Sequence, residues 1–170
     1  MLSNKMIDAL NSQIVEEFYS SNLYLAMASW CDSEGLNNCA HFMYNHFEEE
    51  RMHMLKIFHY INETGGHAIV PELKQPPVDY GSVQSMFKET FKHEQFITSK
   101  IHDLVKLAVS ENDFQTLNFL QWFVEEQREE EATFQNILDK IKLIGEGPSS
   151  LYFIEQEIEK ISAEAHSGEE

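Results

Sequence analysis

Apolar residues recur along most of the chain at intervals of three or four positions, the spacing of an amphipathic helix. Four long stretches of this kind predict helices over about residues 4–32, 37–64, 82–110 and 113–144. A shorter stretch predicts a fifth helix over about residues 149–163, followed by a solvated tail over residues 164–170. The apolar stripe of the first helix contains Met6, Leu10, Ile14, Phe18 and Leu25.

The connections between the predicted helices differ in length. The breaks at residues 32–35 and 111–113 are short, so we expect the helices on either side of each to run antiparallel. Residues 65–81 hold three of the four prolines and form one long irregular segment, which suits a crossover along the length of a bundle. We therefore expect an all-α chain with a single domain over residues 1–170. Its architecture is an up-down-down-up four-helix bundle with one long crossover and a short fifth C-terminal helix.

Composition and charge narrow the classes of partner. The net charge of −17 would repel nucleic acid and anionic membranes, and it favours cations. Cys31 and Cys39 are too few for a disulfide framework or a four-thiolate metal site, which suits a reducing compartment. The first residues lead directly into a helical pattern, and no apolar run approaches the length of a membrane span. We expect a cytoplasmic protein that binds neither nucleic acid nor membrane.

Polar residues interrupt the apolar stripe of each long helix near its midpoint. They are Glu17 in the first helix, Glu50 and His53 in the second, Glu94 in the third, and Gln127 and Glu130 in the fourth. A buried carboxylate without a partner costs several kcal/mol, and no Lys or Arg occupies an equivalent inward position. The four glutamates together carry the charge that two divalent cations neutralise. Oxygen-rich ligation with one imidazole suits Fe(II) or Mn(II) better than structural zinc.

The same glutamates would also fit a protein that binds no metal. Any one glutamate in a long acidic helix can simply face solvent, and a lone Glu-x-x-His pair occurs often by chance. A purely structural bundle would instead place apolar residues at positions 17, 50, 94 and 130, which this chain does not do. Four helices that carry the pattern at matching depth favour a metal site.

These residues and their neighbours resemble the ferroxidase centre of the non-haem bacterial ferritins. The similar stretches are residues 16–21 (EEFYSS), 92–95 (KHEQ), 118–122 (NFLQW) and 151–154 (LYFI), and the resemblance covers nearly the whole chain. It implies that Glu17 and His53 hold one iron, that Glu94 and Glu130 hold a second, and that Glu50 bridges the two.

The resemblance implies further roles. Gln127 stands where many di-iron carboxylate proteins place the Glu of a second Glu-x-x-His, so the second iron has fewer anionic ligands and is held loosely. Tyr24 resembles the tyrosine beside the ferroxidase centre, although an ordinary core aromatic would have the same spacing. A third iron site is implied at Glu49, Glu126 and Glu129. Those three residues would equally suit a solvated acidic run.

The function implied is iron storage with ferroxidase activity, in which Fe(II) is oxidised by O2, or by H2O2, and stored as a hydrous ferric oxide mineral. The resemblance also implies a homo-oligomeric shell of twenty-four subunits, with the fifth helix at its four-fold axes. Haem is not expected, because Arg51 follows Glu50 where the haem-binding bacterioferritins carry Met. The alternative is a di-iron oxygenase or peroxidase that uses the same carboxylate site without mineral storage.

Overall fold

Five helices account for most of the chain. The computed structural model describes residues 1–167, with side chains as far as residue 164. The helices are α1 (Asn4–Ser33), α2 (Asn37–Glu63), α3 (Val83–Glu111), α4 (Phe114–Ile144) and α5 (Ser150–Ser167). Within residues 1–167 there is no β-strand, and none of the helices has the length and apolar character needed to cross a membrane.

The four long helices form a bundle in which α1 is antiparallel to both α2 and α3. The short link after Ser33 turns α2 back along α1. On the other side of α1, Ser20 contacts His93 at 2.7 Å, whereas Met27, two turns further on, contacts Thr90 at 3.3 Å, so α3 also runs in the opposite direction. Consequently α2 and α3 are parallel and are joined by the long crossover. This arrangement confirms the predicted up-down-down-up bundle with a short fifth helix.

Each long helix presents a buried seam whose spacing alternates between three and four residues. In α1 the seam consists of Met6, Leu10, Gln13, Glu17, Ser20, Tyr24, Met27 and Cys31. This heptad-like spacing is the one that keeps a seam facing its neighbours in left-handed helix packing. The prediction that Leu25 faces inward is wrong, since Leu25 is 37% exposed. The predicted stripe advances by four residues from Met6 to Phe18, and steps of four drift away from a seam that alternates between three and four.

The crossover begins where α2 ends in a pair of glycines. Gly65 has a φ of +86°, and the following Gly66 N–H donates to the carbonyl of Ile61 at 2.9 Å, which closes the helix in a Schellman-type turn. The crossover is then fixed to α1, because the Asn11 side chain donates to the carbonyl of His67 and accepts from the N–H of Ile69. These bonds hold the start of the segment against the bundle.

α5 extends further than the sequence pattern indicated. The helix runs to Ser167, so residues 164–167 are helical and do not belong to the predicted tail. The physical reason is that residues 150–167 contain neither Gly nor Pro and include several strong helix formers. The rest of the predicted tail, residues 168–170, lies outside the described residues.

The N-terminus of α2 is capped by a residue of α5. α1, α3 and α4 each have a local side-chain cap, but the N-cap residue of α2, Leu36, cannot accept a hydrogen bond through its side chain. Instead, the Glu155 carboxylate accepts from the backbone N–H groups of Asn38 at 2.8 Å and Cys39 at 2.9 Å. A carboxylate in this position satisfies free N–H groups and complements the helix dipole.

This cap generates a prediction. Glu155→Ala removes two charge-assisted hydrogen bonds at once, and we expect it to lower the free energy of unfolding by about 1–2 kcal/mol. Denaturant unfolding followed by circular dichroism measures the change. The control is Glu159→Ala, which removes an exposed glutamate of the same helix and should leave stability within about 0.5 kcal/mol of the parent. Equal stabilities of the two variants would show that the cap does not contribute.

Candidate metal centre

The six polar residues predicted to interrupt the stripes all lie on the seams, in the middle of the bundle. Glu17 and Glu94 are buried on α1 and α3, and the pair Glu50 and His53 is buried on α2. The fourth helix, α4, contributes Gln127, which is buried, and Glu130, whose side chain is 11% exposed. Each helix holds its polar groups near its own midpoint. The groups therefore lie at the same level along the bundle axis.

Three of these residues form the first half of the cluster. Glu17, Glu50 and His53 each present a potential ligand atom, and these atoms lie within 4.8 Å of one another. The His53 Nδ1 atom is 3.4 Å from Glu50 Oε2. Gln13, one turn before Glu17, donates from Nε2 to Glu17 Oε1 at 2.9 Å. One oxygen of Glu17 is thus held by the amide, and the other remains available.

The second half is organised around Glu94. The Tyr24 hydroxyl donates to Glu94 Oε1, and the Gln127 amide donates from Nε2 to Glu94 Oε2 at 2.9 Å. Burial and the nearby charge of Glu130 raise the pKa of Glu94 to about 7, although the hydrogen bonds from Tyr24 and Gln127 oppose this rise. Both oxygens of Glu94 therefore have a fixed donor, which sets the orientation of the carboxylate.

His46 is a residue of this region that sequence reasoning missed. Its Nε2 atom lies 3.4 Å from Glu130 Oε2 and 3.8 Å from Glu49 Oε2, and these three residues form a second potential ligand group. Burial alone would lower the pKa of His46, but the two carboxylates and the carbonyl of Phe42 raise it to about 10. The signal was present in the spacing, because His46 precedes Glu50 by four residues on the same seam of α2.

The residues of the predicted third site are spread over different environments. Glu49 belongs to the group with His46 and Glu130. Glu126 is 31% exposed, with its Oε2 atom 3.9 Å from His53 Nε2. Glu129 is 64% exposed and pairs with Arg128 Nη2 at 3.1 Å, so the structure does not bring it into either ligand group.

Several carboxylate oxygens in the cluster lack a donor. Glu17 Oε2, Glu50 Oε2 and Glu130 Oε2 are buried and accept no hydrogen bond from any described residue. The imidazole nitrogens beside Glu50 and Glu130 lie 3.4 Å from their Oε2 atoms. Burial also raises the pKa of Glu17 and of Glu50 well above the usual range. Carboxylate oxygens of this kind, with imidazole nitrogens beside them, fit a divalent transition metal such as iron or manganese.

Comparison with known proteins agrees with the fold and with this chemistry. A family model of the ferritin-like domain matches residues 7–144. The chain is 44% identical over 165 residues to a probable bacterial non-heme ferritin-like protein of Haemophilus influenzae, covering 97% of this chain and all of that one. It is 46% identical over 162 residues to a bacterial non-heme ferritin of Campylobacter jejuni, covering 95% and 97%.

A solved structure extends the likeness to three dimensions. The open pore ferritin of the archaeon Archaeoglobus fulgidus superposes with a TM-score of 0.90 at 43% sequence identity, covering 94% of this chain and 98% of that one. The buried carboxylate cluster, the bundle with its single crossover and these likenesses together show that the chain belongs to the ferritin family, with the bacterial non-heme ferritins.

Proposed function

We propose that this protein stores iron and oxidises it. Fe(II) is the substrate, and it is oxidised by O2, or by H2O2, at a pair of sites inside each subunit before Fe(III) is stored as a hydrous ferric oxide mineral within a homo-oligomeric shell. The observation that carries the proposal is the set of three buried carboxylate oxygens that accept no hydrogen bond, on Glu17, Glu50 and Glu130. Family membership supports the same function.

The proposed ligands follow the two halves of the cluster. Glu17 and His53 hold the first iron, Glu94 and Glu130 hold the second, and Glu50 bridges them. The grouping of Glu17 and His53 with Glu50 supports the first assignment. The pKa of Glu50 responds to Glu94 and Glu130 as well as to Glu17, and this position between the two halves supports its bridging role. Two divalent ions neutralise the four carboxylates and remove the cost of burying them.

Gln127 and Tyr24 shape the second half without adding charge. Both are neutral donors to Glu94, so the second iron meets fewer anionic ligands than a site with a further glutamate would offer. We propose that this lowers the affinity for the second iron and lets the oxidised product leave. A site through which iron passes needs this property, whereas a permanent cofactor site does not.

For the third site we propose a set of residues that differs from the one expected from the sequence. Glu49 and Glu126 remain potential ligands on the α2–α4 side of the cluster, and His46 adds an imidazole there. Glu129 lies further out, so its participation requires a change of its side-chain orientation from the present pairing with Arg128. We propose that this region takes up iron that leaves the paired site.

We also propose that the protein binds no haem, that it assembles into a homo-oligomeric shell, and that it is cytoplasmic. Arg51, beside Glu50, points to the surface and pairs with Glu48 at 2.7 Å, and the similar curated proteins are named non-heme. On α5, Leu151, Tyr152 and Phe153 are 53–64% exposed, which favours burial in a homo-oligomer, for which we propose twenty-four subunits. The two cysteines are free thiols, as expected in the cytoplasm.

The alternative, an oxygenase that acts on an organic substrate, needs a substrate cavity beside the iron ligands. A groove of about 640 Å³ lies between α1 and α3, and its lining includes Gln13, which donates to Glu17. None of the proposed iron ligands lines it. Iron storage therefore remains the function that the cluster supports best.

Aerobic addition of Fe(II) to metal-free protein tests the proposal. We expect ferric absorbance to rise faster than in protein-free buffer, and the particles to retain many iron atoms per subunit during size-exclusion chromatography. Oxidation no faster than in buffer would refute the ferroxidase. A small particle with at most two irons per subunit would favour the oxygenase instead.

A variant tests the ligand assignment. Glu130→Ala removes a proposed ligand of the second iron, so we expect the rapid paired phase of oxidation to slow by at least tenfold while the assembly stays intact. Stopped-flow absorbance measures the phase, and light scattering measures the assembly. Glu125→Ala, an exposed glutamate of the same helix, is the matched control and should oxidise iron at the parent rate. Loss of folding in Glu130→Ala would identify that residue as structural.

The buried carboxylates also predict a pH dependence of the metal-free protein. Because burial raises the pKa of Glu94 from 4.5 to about 7, its contribution to stability is present below pH 4.5 and is lost as the pH rises through 7. Glu94 alone accounts for a loss on the order of 3 kcal/mol. The raised pKa values of Glu17 and Glu50 act in the same direction.

Thermal unfolding at pH 5 and pH 8 measures this loss, and added Mn(II) should restore stability mainly at pH 8. Glu94→Gln should reduce the pH dependence, whereas Glu125→Gln, at an exposed position, should leave it unchanged. A metal-free protein that is more stable at pH 8 than at pH 5 would contradict the expectation.

A further inference from the structure

We infer that Thr98 and Glu131 are positioning residues that fix the orientation of the Gln127 amide and, through it, the Glu94 carboxylate for the second iron. This inference rests on the function proposed above. It concerns two residues outside the ligand groups, Thr98 on α3 and Glu131 on α4, which contact each other.

The network begins with two pairs of residues one helical turn apart. On α3, Thr98 follows Glu94 by four positions, and on α4, Glu131 follows Gln127 by four positions, so each pair shares one helix face. The Thr98 hydroxyl donates to Glu131 Oε1 at 2.6 Å. Both side chains are half-buried. This hydrogen bond links α3 to α4 one helical turn from Gln127.

The Gln127 amide nitrogen faces three acceptors. Nε2 lies 2.9 Å from Glu94 Oε2, 3.3 Å from the backbone carbonyl oxygen of Glu94 and 3.4 Å from Thr98 Oγ1. A carbonyl oxygen can only accept a hydrogen bond. The Thr98 hydroxyl has one hydrogen, which it already gives to Glu131, so it too acts as an acceptor toward Gln127.

The direction of the Thr98 hydroxyl decides which way the amide faces. When Glu94 is ionised, as a metal ligand must be, a turned amide would point its carbonyl oxygen at two acceptors of Glu94, and the only group able to donate to it would be the Thr98 hydroxyl. Glu131 removes that possibility because it takes the hydroxyl hydrogen. The pair Thr98 and Glu131 therefore selects the orientation in which the Gln127 NH2 group holds Glu94 Oε2.

The effect should be confined to one half of the cluster. Glu94 is a proposed ligand of the second iron, whereas Glu17 and His53, proposed for the first, have no contact with Thr98 or Glu131 among the described interactions. Loss of the Thr98–Glu131 hydrogen bond leaves Glu94 with one fixed donor, Tyr24. The Glu94 carboxylate can then take more than one orientation. A less organised ligand binds the second metal more weakly and leaves the first unaffected.

Titration of the metal-free protein with Co(II), which air does not oxidise at these sites, tests the inference through the visible absorbance of bound cobalt. In the parent protein, the two Co(II) ions of the paired site should bind with separable affinities, and the proposed third site accounts for any further ion. Thr98→Val, which keeps the shape and removes the hydroxyl, should weaken the second ion at least fivefold and the first less than twofold. Glu131→Ala should do the same.

Conservative variants separate orientation from packing. Thr98→Ser restores the hydroxyl, and Glu131→Gln keeps an oxygen that can accept from it, so both should bind Co(II) within twofold of the parent. Glu125→Ala on the exposed face of α4 should also match the parent. These outcomes require the hydrogen bond itself, since a packing defect would not be rescued by Thr98→Ser.

Three results would overturn the inference. Parent-like binding of both ions by Thr98→Val and Glu131→Ala would show that the Thr98–Glu131 hydrogen bond has no effect on metal affinity. Equal weakening of both ions, with Thr98→Ser no better than Thr98→Val, would show general structural damage. Failure of the parent protein to bind a pair of Co(II) ions would refute the proposed function itself, and the positioning role with it.

Discussion

The fold depends on one electrostatic constraint: four carboxylates occupy the centre of an apolar bundle. They divide the core into two apolar clusters. One surrounds Tyr24, Phe87 and Phe134, and the other surrounds Leu10, Ile57 and Ile101. These clusters at either side supply the burial that keeps the helices together across a layer in which packing alone would be unfavourable. Helices of 27–31 residues are long enough to place apolar contacts on both sides of the polar layer.

Neutral donors reduce the cost of burying Glu17 and Glu94 without neutralising them, whereas Glu130 faces the His46 imidazole, whose pKa it raises. Gln13 satisfies one oxygen of Glu17, while Tyr24 and Gln127 satisfy Glu94. No Lys or Arg of the described chain forms an ion pair with these carboxylates. A resident cation on a lysine would compete with incoming metal, whereas amide and hydroxyl groups orient a carboxylate and leave its charge available. The free energy of folding is therefore less favourable when the site is empty and more favourable when a cation occupies it.

The sequence was sufficient for the parts of the fold that follow from local periodicity. The positions of the helices, the single crossover and the six polar interruptions all follow from spacing along one helix at a time. Leu25 was misplaced because an amphipathic stripe was read without the strict alternation of three and four residues that packing imposes. His46 shares a seam with Glu50, but a lone histidine among aromatic residues is also typical of a core, and its approach to Glu130 of another helix cannot be read from spacing.

The contacts that no periodicity encodes are those between distant segments, of which the Glu155 cap on α2 is one. His46, Glu50 and His53 lie on one buried seam of α2. The first turn of α2 and these side chains therefore belong to the same continuous helix. The terminal helix therefore acts as an anchor for the helix that supplies most of the imidazole chemistry. A C-terminal truncation loses the core residue Ile158 first. One that reaches residue 155 also removes the cap of the helix that carries these candidate ligands.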